Sequence, residues 1–154
     1  MADCNIHDLL KKWSLSNEDA YEIMAGFNTF GHIADDFVDG DLKDFQTRSR
    51  KMLQLLEFCL ISLPNNPFYH RNVASYQPIV LQVLMLYDES NRLQGYTDEE
   101  SQCAAFIFRG SEEMIFYHTA YLLGGLEHAA LVREEYRQAW LKTDTFAEWK
   151  EEYK

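Results

Sequence analysis

The sequence has few residues of the kinds that break helices or form crosslinks. Its 154 residues include 7 Gly, 3 Pro and 3 Cys. A β-sandwich or β-barrel of this length usually needs more turn-forming residues, so an all-β fold is disfavoured. Cys4, Cys59 and Cys103 form no CxxC pair. This spacing argues against a disulfide scaffold or a cysteine zinc site and fits a reducing compartment.

Positive charge is also scarce, with 14 Lys and Arg against 25 Asp and Glu and a net charge of −11. An acidic surface of this kind repels phosphate backbones, so we expect no nucleic-acid partner. No apolar run approaches the ~18 residues of a membrane span, and the N-terminus lacks an apolar signal core. We therefore expect a cytoplasmic protein without a membrane segment.

Apolar and aromatic residues are abundant, at 47% and 14% of the chain. They recur at helical spacing, and no segment has a convincing strand pattern. The sequence therefore predicts an all-α fold, a compact antiparallel bundle of about five to six helices, in one domain over residues 1–154. The predicted helices are Asp3–Trp13, Ser16 or Asn17 to Val38, Leu42–Leu63, Val73–Leu93, Thr97 to Gly124-Gly125, Leu126–Lys142 and a short last helix containing Trp149.

The helix predicted from Val73 to Leu93 is apolar on nearly every side, which is typical of a helix at the centre of a bundle. Other long helices are apolar on more than one side. We therefore expect a homodimer formed through helix faces.

The most informative segment is an aspartate cluster. Asp35, Asp36 and Asp39 are spaced to lie on one helix face, which Asn28 and His32 extend by further turns. Seven carboxylates and no Lys or Arg lie between Glu18 and Asp41. Clustered carboxylates repel one another unless water or a cation neutralises them, and oxygen ligands suit Mg²⁺ or Mn²⁺. The alternative is the solvated face of an amphipathic helix.

Residues 23–34 of the same helix carry no formal charge. A solvated face would normally contain Lys and Glu at these positions. Four small or polar residues therefore predict the lining of a groove, and Gly26 permits close helix packing. The four residues are Tyr21, Ala25, Asn28 and Thr29.

The pattern Asp35-Asp36-x-x-Asp39 resembles the first aspartate-rich motif of class I isoprenoid diphosphate synthases. The resemblance implies that these aspartates hold Mg²⁺ against a substrate diphosphate, and Arg48 and Arg50 follow where that family carries an arginine pair. The chain is also similar in size and helical class to the all-α nucleoside-triphosphate pyrophosphatases, for which Asp36-x-x-Asp39 is an analogue of one carboxylate pair.

The only charged residues from Cys103 to Leu126 are Arg109, Glu112 and Glu113. One interpretation is an internal Arg109–Glu113 ion pair at i,i+4 spacing. The other is that Glu112 or Glu113 faces the aspartates and completes a metal site.

Two functions follow as hypotheses. The first is a Mg²⁺-dependent hydrolase or transferase acting on a phosphorylated or diphosphate small molecule. It assigns the metal to Asp35, Asp36, Asp39 and Glu112, catalysis to His32 and Glu113, and substrate binding to Asn28, Arg48 and Arg50. The second is a non-enzymatic acidic helical protein that presents its carboxylates to a basic partner protein.

Overall fold

The structure of the chain, a computed structural model, describes residues 5–143 and 145–152. Helix accounts for 86% of the described residues, and none of them lies in a strand. The all-α helical bundle predicted from the sequence is confirmed. None of the described helices combines the length and apolar character that crossing a membrane requires.

The chain divides into two compact units, residues 1–73 and residues 74–154. The boundary falls within one long helix, α5 (Pro67–Gln94). The single domain over residues 1–154 therefore stays a prediction.

Three α-helices of the first unit start at a side chain that caps free backbone N–H groups. The Asn5, Asn17 and Asp44 side chains accept hydrogen bonds from His7, Ala20 and Thr47 N–H, at 3.1, 3.0 and 2.8 Å. The predicted cap Asp3 lies outside the described residues. The helices of this unit before α5 are α1 (Ile6–Trp13), α2 (Glu18–Val38), α3 (Phe45–Glu57), a π-helical turn (Phe58–Ser62) and α4 (Leu63–Asn65).

The second unit contains the rest of α5 and three further helices, α6 (Glu99–Arg109), α7 (Glu113–Thr143) and α8 (Phe146–Glu152). Gly125 has φ 73° and ψ −165°, so α7 is two helices joined at a kink. This confirms the predicted helix end at Gly124-Gly125, because a left-handed backbone favours glycine. Phe106 lies in an aromatic core, with its ring centroid 4.8 Å from that of Trp140 and 5.9 Å from that of Trp149.

Two helix boundaries differ from the predictions. The helix predicted to start at Val73 starts at Pro67, so the predicted gap after Leu63 is reduced to Asn66. The Asn66 Oδ1 caps this helix by accepting a hydrogen bond from Tyr69 N–H at 2.9 Å. The helix predicted to run unbroken from Thr97 begins after Asp98 and is interrupted at residues 110–112. In both cases the helix starts directly after a residue whose side chain caps it, Asn66 for one helix and Asp98 for the other.

The prediction that the Val73–Leu93 helix lies at the centre of a bundle is wrong for one of its faces. Leu81, Leu84 and Met85 are each at least half exposed. The apolar sequence of α5 therefore includes positions that the described chain does not cover.

Candidate functional site

The predicted aspartate cluster lies at the C-terminal end of α2. Asp39 is the C-cap, Gly40 has φ 76°, and the Asp41 N–H donates to Asp36 C=O at 3.1 Å. This is a Schellman ending, in which the glycine adopts the left-handed conformation. The last turn contains no basic residue. Four carboxylates, from Asp35, Asp36, Asp39 and Asp41, thus lie at the negative end of the helix dipole, where a cation would be favourable.

The predicted metal ligands are not gathered into a metal site by the contacts described. Asp35 and Asp36 are half-buried, and Asp39 is exposed. Among residues 5–143 and 145–152, no group of three or more His, Cys, Asp or Glu is placed to hold a metal ion. Of the other predicted residues on α2, Asn28 is half-buried and His32 is exposed. Their roles in metal or phosphate chemistry stay predictions.

Arg48 and Arg50 are both exposed on α3. One Arg48 Nη donates to the Lys43 carbonyl at 3.5 Å, a long contact. Hydrogen bonds from Thr47 hold the pKa of Asp44 below its usual range, and the charge of Arg48 adds a smaller effect. Arg48 thus supports the N-terminus of α3, and phosphate binding by this pair stays a prediction.

Glu112 and Glu113 lie in the second unit, whereas the aspartates lie in the first. The Tyr117 hydroxyl donates to Glu113 at 2.7 Å, and burial raises the pKa of Glu113. Burial, followed by the charges of Glu112 and Glu113, raises the pKa of Tyr136, which also hydrogen bonds Glu112. The two glutamates are therefore bound into a glutamate–tyrosine cluster, and their predicted metal and catalytic roles stay predictions.

The predicted Arg109–Glu113 pair does not share one helix, because the interruption at residues 110–112 separates α6 from α7. Arg109 donates to Asn91 Oδ1 at 2.7 Å, and its guanidinium lies 5.2 Å from the centroid of the Tyr87 ring, while the ion pair with Glu113 stays a prediction. Arg109 therefore contacts the side-chain amide of Asn91 and the ring of Tyr87, both on α5.

A cavity of about 410 Å³ lies in the first unit, between α2 and the segment 54–66. We call it the α2–α3 cavity. Three of the four predicted groove residues, Tyr21, Ala25 and Thr29, line it, whereas Asn28 does not. The uncharged stretch of α2 therefore did indicate a concave surface.

The π-helical turn shapes one wall of this cavity. Leu63 N–H bonds to Phe58 C=O, five residues earlier, so the turn is wider than an α-helical one. The wider turn brings the Ser62 hydroxyl over Glu57, to which it donates at 2.6 Å. On the same wall the Phe58 ring meets the Phe27 ring edge to face, with centroids 5.3 Å apart. Gly26 leaves room for that ring, because a side chain there would collide with it.

The polar groups of the cavity are negative or neutral. Its lining includes the carboxylates of Glu22 and Glu57, and no lining residue is Lys, Arg or His. Asn66 is almost fully buried, and its side-chain amide donates to Asp19 C=O at 2.9 Å and to Glu22 at 3.4 Å. Three aromatic residues, Tyr21, Phe30 and Phe58, complete the wall.

Sequence reasoning missed Glu22, Glu57 and Asn66 as residues of this site. Glu22 was counted only among the carboxylates of α2, and nothing in the spacing of Glu57 predicts a π-helical turn. Asn66 lies between the predicted helices Leu42–Leu63 and Val73–Leu93, and the sequence of that segment does not show that Asn66 reaches back to α2.

No protein-family model matches the chain, and no curated protein or solved structure is significantly similar to it. The resemblance to isoprenoid diphosphate synthases therefore stays a prediction, and function is argued from the geometry of the site.

Proposed function

We propose that the chain is a binding protein whose ligand is a small organic cation with an apolar body, held in the α2–α3 cavity. One observation supports this proposal most directly: carboxylates and aromatic rings line the same cavity without a basic residue among them. Aromatic faces attract ammonium groups, and a carboxylate in a partly apolar pocket is stabilised by a positively charged partner.

The size and lining of the cavity suit a compact amine. A volume of about 410 Å³ falls within the usual range of small-molecule pockets. Aliphatic side chains of Leu55 and Leu63, both half-buried, provide surface for the apolar body. Hydrogen bonds from Ser62 and Asn66 orient the two carboxylates before a ligand arrives, which lowers the entropy lost on binding.

The test compares phenethylammonium with 2-phenylethanol, a neutral molecule of similar shape, in titrations followed by NMR. We expect the amine to bind more tightly. Glu22 and Glu57 are both exposed, so Glu57→Gln and Glu22→Gln should each weaken amine binding by up to about fivefold, since exposed ion pairs contribute up to about 1 kcal/mol. Binding of 2-phenylethanol should change little in either variant.

The matched control is Glu18→Gln, an exposed carboxylate in the first turn of α2 that does not line the cavity. This variant should bind the amine as the wild type does. Equal affinity for the amine and the alcohol, or an equal loss in Glu18→Gln, would contradict the proposal.

A second candidate function is Mg²⁺- or Mn²⁺-dependent chemistry on a phosphorylated or diphosphate small molecule at the C-terminal end of α2. The observation that favours it is the coincidence of four carboxylates with the carbonyl end of a helix that has no basic residue in its last turn. Both features stabilise a bound cation.

A further inference from the structure

One face of α3 and the π-helical turn is apolar and exposed. We call it the α3 stripe, and it consists of Phe45, Met52, Leu53, Leu56 and Leu60, whose side chains are 45–79% exposed. The first four fall within about 100° of one another at ~100° per residue. The cavity wall lies on a different side of the same helix, at Gln54, Leu55 and Phe58. The stripe therefore remains uncovered while the opposite side packs against α2.

We infer that the α3 stripe of a second copy of this chain covers this face, with the two helices antiparallel. Four of the five stripe positions keep their spacing when the helix is reversed, and Leu56 falls opposite Ser49 of the second copy. Reversal about the point between Met52 and Leu53 exchanges these two residues and places Phe45 opposite Leu60 of the second copy. A surface that matches itself on reversal is what a two-fold symmetric interface requires.

The charged residues beside the stripe agree with this register. Arg50 and Glu57 lie within about 20° of each other on the helical wheel, on one flank of the stripe. Reversal brings Arg50 of each copy close to Glu57 of the other, so the interface gains two opposite-charge pairs. Arg48 lies on the other flank, where its long stem can keep the charge in water.

One helix pair makes a small interface, so the dimer should be weak. Analytical ultracentrifugation of the full chain over a concentration series should show a monomer–dimer equilibrium with a dissociation constant in the micromolar range. Leu53→Asp should raise that constant at least about tenfold, because it buries two unpaired carboxylates near the symmetry axis. Leu53 is 63% exposed, so this change should leave the fold intact. Leu81→Asp, at an exposed leucine of α5, is the matched control and should have no effect.

A charge-reversal cycle distinguishes a second copy from any other occupant. Arg50→Glu and Glu57→Arg should each weaken the dimer, and the double variant should restore it to within about threefold of the wild type. An acidic partner protein covering the stripe would not produce this restoration. A wild-type chain that stays monomeric at several hundred micromolar, or a double variant no tighter than the singles, overturns the inference. Glu57 belongs to both the cavity lining and this register, so the sedimentation series is run without an amine, and Arg50→Glu, which leaves the cavity lining unchanged, separates failure of the dimer from failure of the amine site.

Discussion

The Phe58 ring lies so close to Gly26 that it should decide whether Gly26→Ala stabilises or destabilises the protein. A Cβ atom added at Gly26 would lie 2.8 Å from Cζ and 2.9 Å from Cδ2 of Phe58, and closer still to Cε2. The ring borders the α2–α3 cavity on one side, but it is packed edge to face on Phe27 and lies 6.3 Å from Phe30, measured between centroids, so moving it away gives up these aromatic contacts. Gly26→Ala should therefore destabilise the protein, although alanine is the better helix former.

The expected magnitude is the difference between two opposing effects. Replacing glycine with alanine inside a helix stabilises by about 1 kcal/mol, whereas forcing extra volume into a packed site costs about 1–3 kcal/mol. The net change in the wild type should be about 1 kcal/mol of destabilisation. In a Phe58→Val background the ring is gone, so the same Gly26→Ala change should stabilise by up to about 1 kcal/mol.

The assay is urea unfolding of four proteins, the wild type, both single variants and the double variant, which form a double-mutant cycle. Valine at position 58 keeps part of the apolar volume, so the background should remain folded. The reasoning would be refuted if Gly26→Ala changed the free energy of unfolding by the same amount in both backgrounds, because the clash with Phe58 would then contribute nothing.

Two further predictions concern charge. If Asp35, Asp36 and Asp39 hold Mg²⁺ or Mn²⁺, the metal should raise the melting temperature, by an amount equivalent to about 2.7 kcal/mol at a hundredfold excess over Kd. The variant with all three residues changed to Asn should lose this gain. An unchanged wild-type melting temperature in millimolar metal, with or without diphosphate, would count against that site. Burial raises the pKa of Glu113 above its usual 4.5, so the folded state binds this proton more tightly than the unfolded state. The free energy of unfolding should therefore fall as pH rises from about 4.5 through the raised pKa. Glu113→Gln should flatten this dependence of the unfolding free energy on pH. Glu127→Gln, at an exposed glutamate, is the control and should leave it unchanged.

Features set by local chemistry were predictable from the sequence. Asn17 caps α2, and Gly40 and Gly125 adopt left-handed conformations at helix ends, because these residue types satisfy or terminate a helix wherever they occur. The uncharged stretch of α2 likewise indicated a groove, and Tyr21, Ala25 and Thr29 line one. Each of these predictions needed only residues within a few turns of one another.

The rest of the candidate site could not be predicted because it depends on packing between distant segments. Asn66 reaches the backbone of Asp19, 47 residues earlier, and no local pattern encodes this contact. The wall residue Glu57 depends on the π-helical turn, which its own spacing does not reveal. The exposed face of α5 shows the same limitation, since an apolar sequence predicts burial without saying which molecule covers it.

The two sets of carboxylates in the first unit differ in the kind of cation they can favour. Those at the end of α2 lie beside backbone carbonyls, and Asp39 is exposed, an environment suited to a small hydrated ion that keeps most of its water. Glu22 and Glu57 are exposed as well, but they border aromatic and aliphatic side chains that can cover the carbon atoms of an organic cation. An alkylammonium ion is more weakly hydrated and buries its carbon atoms on the same surface. The position of each carboxylate therefore separates the two candidate functions, although both sets belong to one acidic unit.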